Sequence, residues 1–148
     1  IKHGGHIDKF VGDAAMAVFG ITKNSEGHAT DAVNAALEIM EIIETNAKKE
    51  NNSAIALRIG IGINTGEMVS GSLGSKKKME YTVIGDNVNI ASRLTSLADP
   101  GEILVSGKTF DQLENADPFK IEEKGRLPIK GKKLKIRVFK ITKENENN

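Results

Sequence analysis

The chain has 148 residues, 39% hydrophobic and 28% charged, the makeup of a single globular domain with enough chain to bury a core. Its 21 Lys and Arg against 20 Asp and Glu argue against a general electrostatic nucleic-acid binder, and the absence of cysteine excludes disulfides and thiolate metal sites. No apolar run approaches the ~18 residues of a membrane span and no signal-peptide pattern is present, so no membrane contact is expected of this segment. The sequence opens on Ile1 rather than Met and enters strand-like residues almost at once, which reads as a piece of a longer protein.

The first predicted element is a hairpin over residues 4–20, two short apolar strands joined at Val11-Gly12-Asp13-Ala14. Gly12 suits the turn because it tolerates backbone angles that other residues avoid. Residues 14–19 are apolar almost throughout, the pattern of a strand covered on both faces. Asp13 is then a carboxylate at the tip of a stiff hairpin with its flanks in the core. It is either a turn-forming residue or an oxygen ligand for a hard divalent cation. A polar turn follows, then a helix over residues 29–48 with apolar residues at helical spacing and Lys48 and Lys49 at its C-terminal end.

Residues 54–63 (AIALRIGIGI) predict a central strand, and Asn64-Thr65-Gly66 turns it into a second strand over 67–73. Gly60, Gly62, Gly66, Gly71 and Gly74 are dense for a strand pair. They mark close approach of another backbone or a ligand, or simply a twisted, bulged hairpin. A basic loop with Lys76, Lys77 and Lys78 leads to a strand over 79–84. Asp86 is the expected N-cap of a helix over 87–98, with Val88, Ala91 and Leu94 as its buried stripe and Asn89 and Arg93 four apart on another face. A strand over 102–106, a short helix over 108–113, a strand over 119–123, a loop over 127–132 carrying Lys130 and Lys132, and a strand over 135–141 complete the series. Residues 1–142 form one domain and 143–148 a polar tail. His3, His6 and His28 show no metal-ligand spacing and are expected to be structural or surface residues.

Three blocks and one lysine resemble the catalytic domain of the class III nucleotide cyclases, the adenylyl and guanylyl cyclases. They are Asp8-Lys-Phe-Val-Gly-Asp13, Gly60-Ile-Gly-Ile-Asn-Thr-Gly66, Tyr81-Thr-Val-Ile-Gly-Asp-Asn-Val-Asn-Ile-Ala-Ser-Arg-Leu94, and Lys130 before Gly131. The resemblance implies an α/β (α+β) fold with a ferredoxin-like core and a mostly antiparallel sheet flanked by helices. It implies a cytoplasmic catalytic domain in a head-to-tail homodimer with active sites at the interface. The implied reaction is attack of the ribose 3′-oxygen on the α-phosphorus, assisted by two divalent cations, Mg2+ or Mn2+.

Carried over by resemblance, Asp13 is one of two metal-binding aspartates. Lys9 and Thr82 read the base, Asn89 orients the ribose, Arg93 stabilises the transition-state phosphate, and Lys130 binds the triphosphate, with Lys132 a weaker second candidate. Lys9 with Thr82 favours ATP, since guanylyl cyclases resemble this site with Glu and Cys instead. The family's first metal aspartate, on an upstream strand followed by two helices, has no counterpart in these residues, so the segment alone is expected to bind metal weakly. The alternative is a non-catalytic regulatory or dimerisation module that keeps the fold.

Overall fold

The computed structural model describes residues 2–21, 26–49, 57–75, 78–115, 118–128 and 135–144. In chain order the elements are β1 (His6–Val11), β2 (Ala14–Val18), α1 (His28–Lys49), β3 (Ile61–Ile63), β4 (Val69–Ser75), β5 (Lys78–Ile84), α2 (Asp86–Leu97), β6 (Ile103–Ser106), α3 (Gly107–Phe110), β7 (Phe119–Pro128) and β8 (Lys135–Lys143). The expected mixed α+β architecture, mostly antiparallel and flanked by helices, is present. Its strands are divided among a four-stranded sheet in the order β3-β6-β8-β7 and two separate hairpins, β1-β2 and β4-β5. The one parallel pair among the described strands is β3 with β6.

β6 is buried at every residue because both faces of the main sheet are covered. Side chains alternate across a strand, so Ile103 and Val105 join Phe139 and Ile141 of β8 beneath Val33 and Ala36 of α1. Leu104 and Val138 point the other way and meet Ile90 and Leu94 of α2. The long helix thus packs through its predicted stripe, Ala29, Ala32, Val33 and Ala36. In α2 the fully buried residues are Ile90 and Leu94, whereas Val88 and Ala91 are only partly covered.

Two glycines set how closely α2 lies on β3. A Cβ on Gly62 would stand 2.7 Å from the Ala91 carbonyl oxygen, and one on Gly60 would stand 2.6 Å from that of Ala98. Gly62 N–H donates to Thr95 Oγ1 at 3.2 Å, filling the gap with a polar contact. Of the two readings of the glycine-rich pair, close backbone approach holds at these positions.

Several expected boundaries are corrected. The strand expected over 54–63 is regular only at Ile61–Ile63, where it pairs with the four-residue β6; residues 54–56 lie outside the described residues. The next strand is Val69–Ser75 rather than 67–73. β7 runs on to Pro128, through a register shift between Glu123 and Gly125 that leaves Lys124 as an extra residue. The N-cap of α2 is Gly85, at φ 144°, with no side-chain cap, and Asp86 sits in the first turn. A positive φ is costly for Asp and cheap for Gly, and an acidic first turn still suits the helix dipole.

The hairpin flanks are not in the core. In β2 only Val18 is buried, while Phe10 and Val11 of β1 are 76% and 61% exposed. β1-β2 forms its own small sheet, so the apolar run is covered along one side only by other described residues.

Gly62→Ala is expected to lower stability by about 1–3 kcal/mol in chemical denaturation, because α2 must shift to admit the methyl group. Gly71→Ala, with nothing within 4 Å of its added Cβ, should stay within about 0.5 kcal/mol of the parent.

Glu102 accepts from Lys140 Nζ at 2.9 Å and from the Asp99 N–H at 3.0 Å, which lower its pKa below the ordinary 4.5. Lys140 is raised above 10.5 by the same hydrogen bond from the other side. The glutamate contributes stability that is present above pH 4.5 and is lost as pH falls through its lowered folded value. The urea midpoint of Glu102→Gln should therefore lie below the parent's at pH 7 and converge with it in acid.

Candidate active site

The β1-β2 hairpin closes through a two-residue turn, Gly12-Asp13, with Gly12 at φ 61°. Glycine in the first turn position lets the turn follow the right-handed twist of its strands. Asp13 is exposed at that turn. Its carboxylate is open to solvent, but among the described residues no group of three His, Cys, Asp or Glu could hold a metal ion.

Lower on the hairpin the register slips. Ile7 pairs with Ala17 and Lys9 with Met16, so Asp8 is an extra residue in β1. A bulge re-aims side chains that a regular strand would send to opposite faces. Lys9 Nζ accordingly lies 3.7 Å from Asp8 Oδ2, with the Asp8 side chain only 5% exposed. The same oxygen accepts a hydrogen bond from Thr82 Oγ1 of β5 at 2.7 Å. The two expected base-reading residues, Lys9 and Thr82, thus meet around one buried carboxylate that the sequence reading left without a role. An acidic residue beside Lys9 was the visible signal, and strict alternation along the strand hid it.

Three residues beyond Thr82, Gly85 turns the chain into α2, whose Asn89 and Arg93 are both exposed on one face, about 6 Å apart along the helix axis. The start of α2 is pinned by a pair of asparagines that sequence reasoning did not single out. Asn64 Nδ2 donates to the Asn87 backbone oxygen at 2.9 Å and to its side-chain oxygen at 3.1 Å, and Asn87 Nδ2 donates to the Glu67 carbonyl at 2.8 Å. Any Cβ on Gly66 would collide with the Asn87 amide. The Asn-Thr-Gly turn thereby sets where the first turn of α2 begins.

Lys130 and Lys132 lie outside the described residues. His3 is partly buried, with Nε2 2.5 Å from Glu38 Oε2, while Lys2 Nζ is 2.7 Å from the other oxygen of that carboxylate. Those contacts lower the Glu38 pKa, the Lys2 hydrogen bond most. No described helix is long and apolar enough to cross a membrane.

Residues 3–143 match the family described as the adenylate and guanylate cyclase catalytic domain. The chain is 33% identical over 141 residues to the terminal-differentiation specific adenylate cyclase of Dictyostelium discoideum, covering 93% of this chain and 6% of that protein. It is 32% identical over 148 residues to the receptor-type guanylate cyclase gcy-23 of Caenorhabditis elegans, covering 99% of this chain and 14% of that one. The chain thus spans a small part of the length of these relatives. Its fold superposes on the crystal structure of the adenylyl cyclase CyaB from P. aeruginosa with a TM-score of 0.86 at 32% identity, over 98% of this chain and 75% of that one.

Proposed function

The chain belongs to the adenylate and guanylate cyclase catalytic domain family, and from that premise we propose that it is the catalytic part of an adenylyl cyclase, converting ATP to 3′,5′-cyclic AMP and pyrophosphate. Its relatives carry both adenylate and guanylate cyclase names, so the base must be argued from the site. The observation that carries the reading is the meeting of Lys9 and Thr82 on the Asp8 carboxylate. A lysine donates but cannot accept, which suits a ring nitrogen of adenine and not the paired donors on the guanine edge. The Thr82 hydroxyl supplies an acceptor for the adenine amino group.

In this reading Asn89 orients the ribose, and Arg93, one helical turn on, faces the charge that develops as the 3′-oxygen bonds to the α-phosphorus and pyrophosphate departs. Preorganised cations at such a position lower the barrier most where they cost no reorganisation. Lys130 neutralises the triphosphate. Asp13 would hold Mg2+ or Mn2+ together with oxygens of the triphosphate, an arrangement Mg2+ accepts with one or two carboxylates. When bound, the cations supply Lewis acidity that favours the 3′-alkoxide and the leaving pyrophosphate.

The working assembly is a head-to-tail homodimer. Each site draws Asp13 from one protomer and Lys9, Thr82, Asn89, Arg93 and Lys130 from its partner. The uncovered apolar side chains Phe10, Val11, Val69 and Ile84 on the two hairpins, with Val69 67% exposed, support this association.

The direct test is cyclic AMP formation from ATP with Mn2+ by the full-length protein. Asp13→Ala and Arg93→Ala should each reduce turnover about 100-fold or more without loss of the dimer. A folded dimer that makes no cyclic nucleotide would favour a regulatory module that retains the fold. Lys9→Glu combined with Thr82→Cys should move preference toward GTP, measured as the ratio of kcat/KM for the two nucleotides. An unchanged ratio would remove Lys9 and Thr82 from base reading.

A further inference from the structure

A threonine hydroxyl has one proton and two lone pairs, so by itself it meets an amino group or a carbonyl oxygen equally well. At Thr82 the proton is already committed, because Oγ1 donates to Asp8 Oδ2 at 2.7 Å. An ionised carboxylate has no proton to return. Thr82 is 5% exposed, as is the Asp8 side chain, so bulk water does not compete for this bond. Lys9 Nζ, 3.7 Å from the same oxygen, attracts the carboxylate as well. What the hydroxyl keeps for a ligand is lone pairs alone.

We propose that Asp8 is a specificity-determining positioning residue. By holding the Thr82 proton it makes the hydroxyl an obligatory acceptor, which, facing position 6 of the purine, selects the amino group that adenine carries there over the carbonyl that guanine carries there. The bulge in β1 is what turns Asp8 toward Thr82; in a regular strand the residue beside Lys9 would face away. Asp8 acts through Thr82 and touches no reacting atom. The proposal rests on the adenylyl cyclase reading above and adds to it the origin of the base preference.

The test compares Asp8→Ala and Asp8→Asn with the parent, in the full-length protein and in the Thr82→Val background. The readouts are the ATP/GTP ratio of kcat/KM and the relative affinity for 3′-deoxy-ATP and 3′-deoxy-GTP, which bind but cannot cyclise. Asp8→Ala frees the hydroxyl proton and should lower the adenine preference about tenfold, the scale of one misdirected hydrogen bond in a specificity site. Asp8→Asn keeps the side-chain shape where the alanine variant does not fold. Its amide offers both an acceptor and a competing donor, so the preference should fall in the same direction by a smaller factor, about two- to fivefold. In the Thr82→Val background neither change should move the ratio further, which a general loosening of the hairpin would not reproduce.

A parent that prefers guanine would overturn this proposal together with the adenylyl reading. A parent that prefers adenine, with a ratio unmoved by Asp8→Asn and by any folded Asp8→Ala, would overturn this proposal alone. So would an equal fall in the Thr82→Val background.

Discussion

The 2.7 Å hydrogen bond from Thr82 to Asp8 joins two hairpins that share no backbone ladder. A two-stranded sheet is marginal in water by itself, and among the described residues neither β1-β2 nor β4-β5 is an extension of the main sheet. A buried polar contact is unforgiving in that setting, because losing one partner leaves the other desolvated and unpaired. The tie therefore does more than hold the hairpins near each other. It ties β1 to β5 at the place where Lys9 and Thr82 meet.

The second half of the candidate site is positioned chiefly by main-chain proximity. With Gly60 and Gly62 leaving no Cβ between them, β3 and α2 pack backbone against backbone, and the Asn64–Asn87 hydrogen bonds set where the first turn begins. Asn89 and Arg93 then inherit their positions from the core: Ile90 and Leu94 bind the helix to Leu104 and Val138, and the polar face is what remains outside. Small errors in the fit of helix to sheet would be transmitted directly to those two side chains.

Much of this was legible in the residues. The spacing of Ala29, Val33 and Ala36 forecast the inner face of the long helix, and the short strand over 102–106 was placed within a residue of β6. The Gly-Asp turn and the i, i+4 pair on α2 were also visible. Three things were not. The bulge at Asp8 breaks the very alternation from which strand faces are read, so no periodicity reveals it. The late start of β3 is set by the short partner strand available to it, a non-local fact. The apolar residues of the first hairpin look like core because composition reports that a side chain avoids water without reporting what will cover it.

β7 carries the other extra residue, Lys124, and its consequence is of a different kind. Among the described residues β7 is the outer strand of the main sheet. Lys120, Glu122, Glu123, Lys124 and Arg126 are all exposed along it, Gly125 takes φ 97°, and Pro128 ends it. Charge of both signs, a local kink and a residue without an N–H make a poor template for an incoming strand. Addition of a further strand is discouraged at this border. One irregularity in β1 aims a side chain, while the other, in β7, makes the edge of the sheet harder to extend.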